Sequence, residues 1–285
     1  MLNLLYARYS KLFTLEIIKD ARPNCETTWP IKAQRAIPYE QIWPTLGTPL
    51  SDATEEKNWR KMLQRAIFVR DRDPKAVSQL CRMGCNCKES MLHLMECRRT
   101  TPYWNMVTKF ITEVIEERVD RKHVFTIVFN LSHAANQTLM CTEARAFARH
   151  AFDCFWRDFA LVDTNQRKFI PEYTYRRLME RFRNAVLAYG QEIRKFKVNR
   201  EYTSMKKHIP EATLMQFPAL IKIDQTTYTF ELTKALDDAV AASIDAATAY
   251  TQAHQGQHNP LPTQPNPNPN PNPNPNPNPN PNPNH

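Results

Sequence analysis

Three observations predict a mainly α-helical chain. Apolar residues recur at helical spacing through most of residues 51–255, glycine occurs only four times in 285 residues, and a C-x3-C-x7-H-x3-C pattern lies between the first two helical stretches. That pattern has the form of a structural zinc site, in which two short ligand pairs close on a tetrahedral ion. The predicted architecture is a small zinc-stabilised helical module followed by a helical bundle, with a short β-hairpin and a disordered Pro-Asn repeat tail. The segments are a poorly defined N-terminal stretch 1–50, a zinc-binding helical module 51–120, a basic helical region 121–210, a β-hairpin plus helix 211–255, and the repeat 256–285.

In chain order, residues 1–50 hold scattered prolines and a helix or strand through Leu12–Ile18, with loop beyond it. Ser51-Asp52-Ala53-Thr54-Glu55-Glu56 combines capping side chains with first-turn acids, a helix start. Trp59, Met62, Leu63, Ala66 and Ile67 continue an apolar stripe, and Pro74 places the end near Arg70–Asp73. Thr100 or Thr101, with Pro102 behind it, opens the next helix, whose stripe runs from Trp104 to about Val119. Trp104 is expected to pack between the two helices that bracket the cysteines.

Residues 123–135 read as a strand from their β-branched and aromatic content, with a helix as the alternative. Thr142–Leu161 has one continuous apolar face. Pro171 starts a further helix, where Tyr175, Met179, Phe182, Val186, Tyr189, Ile193 and Phe196 alternate by four and three, a seam suited to lengthwise packing on Thr142–Leu161. Residues 217–223 and 227–232 form a hairpin pattern around Asp224-Gln225-Thr226, and Ala235–Tyr250 is an alanine-rich helix. The ten Pro-Asn dipeptides of 265–284 have nothing apolar to bury, and proline at every second position removes backbone donors.

Cys81, Cys85, His93 and Cys97 are the candidate zinc ligands, and Cys87 is an alternative to Cys85 that spacing does not separate. A cluster of buried thiols without metal is the competing reading. An odd cysteine count gathered in one segment, with no secretory leader, fits a reducing compartment, so an intracellular chain, cytoplasmic or nuclear, is expected. No apolar run reaches the ~20 residues of a membrane helix. The four glycines are scattered, so neither a phosphate-cradling loop nor a dinucleotide fingerprint can be built, and no small-molecule substrate is expected.

Net charge is +9, and residues 166–210 hold twelve bases against four acids. Arg176, Arg177, Arg181, Arg183, Arg194, Lys195 and Lys197 flank the Pro171 helix as a candidate surface for the phosphate backbone of RNA or DNA. A solvated helix face, or a protein partner with acidic chemistry, is the alternative.

Trp59-Arg60, the paired cysteines, Glu89 four residues before His93-Leu94, Cys97 and then Trp104 occur in that order. The order resembles the zinc-binding finger that follows the polymerase domain in open reading frames of non-LTR retrotransposons, over about fifty residues. The first pair here is x3 where the family has x2, and Cys87 is extra. The resemblance implies a metal role for Cys81, Cys85, His93 and Cys97, and a non-catalytic fragment whose polymerase lies upstream. Leu236-Asp237-Asp238 is the one pair similar to a polymerase metal hairpin, and it reads as a solvated helix start. Asp224, Glu231 and Lys234 resemble the acid-acid-lysine set of restriction-like nucleases. The lead-in is absent and the last spacing differs, so the match is read as chance.

Overall fold

A computed structural model describes residues 26, 28–30, 34–45, 50–73, 75–76, 78–120, 122–133, 137–164, 168–198, 217–224 and 229–255. The expected element at Leu12–Ile18 and the Pro-Asn tail lie outside the described residues. The architecture is mainly helical: α1 Tyr39–Ile42, α2 Ala53–Leu63, α3 Met91–Glu96, α4 Thr101–Glu113, α5 Thr142–Thr164, α6 Pro171–Val198 and α7 Lys234–His254. Two small antiparallel hairpins accompany them, β1 Leu131–His133 with β2 Thr138–Leu139, and β3 Ile221–Ile223 with β4 Phe230–Leu232. None of the described helices is long and apolar enough to cross a membrane.

Helix α2 begins as its sequence dictates. Asp52 accepts the backbone N–H groups of Thr54 and Glu55, and the Glu55 side chain reaches back to the Asp52 N–H, a complete capping box. Its end differs from the sequence expectation, falling at Leu63 instead of near Arg70–Asp73. Arg65 adopts the left-handed region at φ 56°, Ala66 N–H bonds the Lys61 carbonyl and Arg65 N–H bonds that of Met62, the two bonds of a Schellman cap. Trp29 Nε1 takes the Leu63 carbonyl at 2.9 Å. The apolar stripe continues past this stop because Ile67 and Val69 are buried from an extended segment, and Arg70–Arg72 form a single 3-10 turn.

Helix α4 likewise stops at Glu113, short of Val119. Residues 123–133, the described part of 123–135, contain both of the expected conformations in succession. Val124–Val128 is a wide helical turn with the Phe129 N–H bonded to the Val124 carbonyl, and Asn130 at φ 57° then turns the chain into β1. All five residues of the turn are buried.

Helix α6 packs along α5 and carries α7 on its other side. Met179, Phe182, Val186 and Tyr189 of the expected seam are buried, with the Phe182 ring against Phe147 and Phe110. Gly190 lies where β4 crosses α6: an added Cβ would come within 2.6 Å of the Phe230 ring. One cluster of buried apolar side chains runs from Trp29 to Val240, joining residues on both sides of position 120.

Charged side chains are also buried among α2, α5 and α6. Arg181 of α6 reaches Glu55 at 2.6 Å, Asp52 at 3.0 Å, and Asp153 of α5. His150 of α5 sits 2.7 Å from Glu55, and its other nitrogen is 2.7 Å from the Leu50 carbonyl. His150 is a buried core residue. Burying the carboxylates of Glu55 and Asp153 is tolerable because Arg181 reaches both.

Candidate metal centre

The knuckle that carries the ligands is a tight loop closed on itself. Cys81 N–H bonds the Cys87 carbonyl at 2.8 Å, Gly84 N–H bonds the Cys81 carbonyl at 2.9 Å, and Leu80 pairs with Lys88. Gly84 at φ 71° and Asn86 at φ 61° supply the left-handed residues that such a loop needs. The Gly84 requirement is conformational, since an added Cβ would meet no atom within 4 Å.

The second ligand pair comes from α3. Ser90 caps it by accepting the His93 N–H at 3.1 Å, which sets the helix so that His93 turns toward the loop. Cys97 ends α3, and its carbonyl accepts the N–H groups of both Thr100 and Thr101, leading directly into α4. Trp104 is fully buried and donates from Nε1 to the Leu94 carbonyl at 3.1 Å, so it packs between α3 and α4 as a core residue.

Cys81, Cys85, His93 and Cys97 present their ligand atoms within 4.8 Å of one another. Cys81 Sγ and Cys97 Sγ are 4.0 Å apart, and Cys85 Sγ is 3.1 Å from His93 Nε2. Zinc at about 2.3 Å from each sulfur needs S···S edges of about 3.8 Å, so these donors require only small shifts to bind an ion of that size. Cys87 is exposed and points its thiol at the Cys85 carbonyl, outside the convergent group. Of the two cysteines left open in the sequence, Cys85 joins the convergent group and Cys87 lies outside it.

The three thiols are shifted in different directions. Its hydrogen bond with Cys81 and the neighbouring His93 hold the Cys97 thiol well below the ordinary range, at about 5, while the same contact and burial push Cys81 up. Burial also raises Cys85. Three thiolates cannot share this volume without positive charge between them, so deprotonation of these thiols would be coupled to entry of a metal ion.

Glu89, part of the motif by its spacing, serves the scaffold. Its buried carboxylate accepts the Arg82 guanidinium at 2.7 and 2.9 Å, the Arg82 N–H at 3.0 Å and the Arg70 N–H at 3.0 Å. Burial would raise this carboxyl, but the bonds from Arg82 and Arg70 hold it below its usual range. Arg82 in turn lies 4.3 Å over the Phe159 ring of α5, which ties the knuckle to the helical body.

Each described arginine among the expected nucleic-acid residues lies against a carboxylate of its own chain. Arg176 pairs with Glu180, Arg177 with Asp158, Arg183 with Asp237, and Arg181 with the three acids named above. The helix reaches through Arg194, Lys195 and Lys197, but their side chains lie outside the described residues. Asp224, Glu231 and Lys234 are exposed, and Glu231 sits opposite Lys222 in the hairpin register. Sequence reading missed the buried group of Glu55, His150, Asp153 and Arg181. Its one signal was Glu55 at the capping-box position, because the partners lie roughly a hundred residues away.

Comparison with protein-family models, with curated proteins and with solved structures finds no match for this chain.

Proposed function

We propose that the chain is a zinc-binding, non-catalytic module of retrotransposon type that holds RNA or DNA by its phosphate backbone, without reading sequence. The observation that carries the metal half is the convergence of Cys81, Cys85, His93 and Cys97. Three thiols and one imidazole are donors for zinc and poor ligands for the oxygen-seeking magnesium or calcium. With all four positions taken by protein, such an ion holds structure and leaves no place for a reacting water. The binding half is supported by the net charge of +9 and by the residue order from Trp59 to Trp104. Lysine and arginine contacts to phosphate would release counterions, which makes the affinity steeply salt-dependent.

A second reading, a structural or protein-interaction module, is favoured by one observation: Arg176, Arg177, Arg181 and Arg183 already hold carboxylates of their own chain. Purified protein tests both halves. One zinc per chain is expected, lost in Cys81→Ser and Cys85→Ser and kept in Cys87→Ser; equal loss in the last would reject the ligand set. RNA and DNA are expected to bind at about 50 mM salt and to release on raising it to about 200 mM. Absence of binding at the lower salt would leave the interaction-module reading.

A further inference from the structure

We infer that nucleic acid is held on the outer face of the metal knuckle, not along α6, and that the preferred strand is single. The inference rests on the reading above that the chain binds nucleic acid, and adds where and in which form. It starts from two exposed apolar side chains, Phe68 at 57 % and Leu80 at 49 %, the most exposed of the large hydrophobic residues described. Both belong to segments joined at the knuckle. Arg70 donates to the Leu80 carbonyl at 2.8 Å and to the Glu89 carboxylate, Asp71 N–H bonds the Glu89 carbonyl, and Leu80 pairs with Lys88.

The same segments carry charge that the fold does not use. Lys75, Lys88, Arg98 and Arg99 are exposed, and among the described residues none of them reaches a carboxylate. Arg98 and Arg99 directly follow Cys97, whose sulfur meets that of Cys81 across the site. Asp73 turns its carboxylate back onto the Lys75 N–H at 2.9 Å, and Glu96 is the exposed acid in this region. On α6, by contrast, each described arginine of the basic set is matched by an acid.

Exposed bases and an exposed aromatic ring on segments joined at the knuckle fit one ligand chemistry best. Phosphates take the lysines and arginines, and an unstacked base lies on the ring. In a duplex the bases stack on each other and offer no face to Phe68, which is why the single strand is the form inferred.

The test uses the whole chain and 20-nucleotide oligo-dT and oligo-U, single and annealed to their complements, followed by fluorescence anisotropy across salt. Lys88→Ala/Arg98→Ala/Arg99→Ala is expected to weaken single-strand binding at least tenfold and to reduce the salt slope by about 2, three contacts at roughly 0.7 each. Phe68→Ala is expected to cost about tenfold with the slope unchanged, and to spare the duplex. Arg176→Gln/Arg183→Gln, which removes two charges from α6, is expected to stay within about twofold. Zinc content and helical ellipticity are checked for every variant; if the triple variant is misfolded, the single reversals Lys88→Glu and Arg99→Glu carry the same expectation. Wild-type binding that survives loss of the rim bases, or falls with the α6 pair instead, overturns the location. Equal behaviour of Phe68→Ala and wild type overturns the single-strand preference. No wild-type binding at all rejects the proposed function itself, a result distinct from either.

Discussion

Glu143 stands in the first turn of α5 with its side chain buried and its carboxylate accepting the Ala219 N–H at 3.2 Å, next to the Cys141 thiol. Burial pushes this carboxyl up to about 7, against the pull of the Ala219 and Cys141 contacts. A raised folded-state value means that the stabilisation from this group is complete below about pH 4.5 and is lost as pH rises through about 7. Glu143→Gln keeps an acceptor for Ala219 and removes the charge. The difference in urea midpoint between variant and wild type should therefore move in the variant's favour from pH 4.5 to 7 and level off above; a constant difference would sink the assignment. In the sequence Glu143 stands one residue after Thr142, where the expected helix Thr142–Leu161 begins. Its unusual environment comes from a segment seventy-six residues further on.

The ligand set shows the same division at residue scale. Four donors were legible because C-x3-C and H-x3-C are short-range spacings that a loop and one helix end can satisfy. Cys85 over Cys87 was not legible, since it depends on the left-handed turns at Gly84 and Asn86 that direct one thiol inward and the next outward.

At the scale of elements, the arginines of α6 act as cross-links. Arg181 joins α2, α5 and α6 through Glu55, Asp52 and Asp153, two of which are fully buried acids. Arg181→Ala should leave those carboxylates without a counter-charge and cost about 3 kcal/mol, the low end for a broken buried pair because the arginine is a quarter exposed. Chemical denaturation measures it, and a loss below about 1 kcal/mol would mean that the acids find other partners. Gly190 is a second element-scale device. Gly190→Ala drives a methyl into the Phe230 ring and should destabilise by about 1–3 kcal/mol, while Gly190→Ala/Phe230→Leu should recover part of it. An unaltered single variant would show that β4 can move off the helix freely.

Helix boundaries were read less well than helix identities. Ala53–Leu63 and Thr101–Glu113 both end before their apolar stripes do, because Ile67, Val69 and Ile115 are buried by non-helical backbone. Burial rewards an apolar side chain whatever the conformation that delivers it, so periodicity locates a stripe better than it locates a cap.

For the molecule as a whole, the candidate metal knuckle is a small satellite on a much larger apolar core. The candidate ligand cysteines form their own cluster, and Met83 packs against both it and the larger cluster that joins α2, α4, α5, α6 and α7. Chelation of the metal from purified protein should therefore lower the melting temperature and open residues 81–97 to protease, while most of the helical ellipticity persists. Loss of the whole circular-dichroism signal on chelation would mean that the ion organises the entire fold, as in small zinc domains that unfold without it.

Local chemistry in the sequence was sufficient for the helical class, the β3–β4 hairpin, the capping of α2 and the four convergent ligands, because each depends on residues within a turn or two of one another. Tertiary structure alone decided which charges remain for a partner. Seven bases near α6 looked equivalent along the chain, yet four of them are paired with acids, among them Asp52, Glu55, Asp153, Asp158 and Asp237, brought in mostly by other helices. Charge is counted in sequence, but its availability is set by which opposite charges the fold brings within about 4 Å, where attraction outweighs screening.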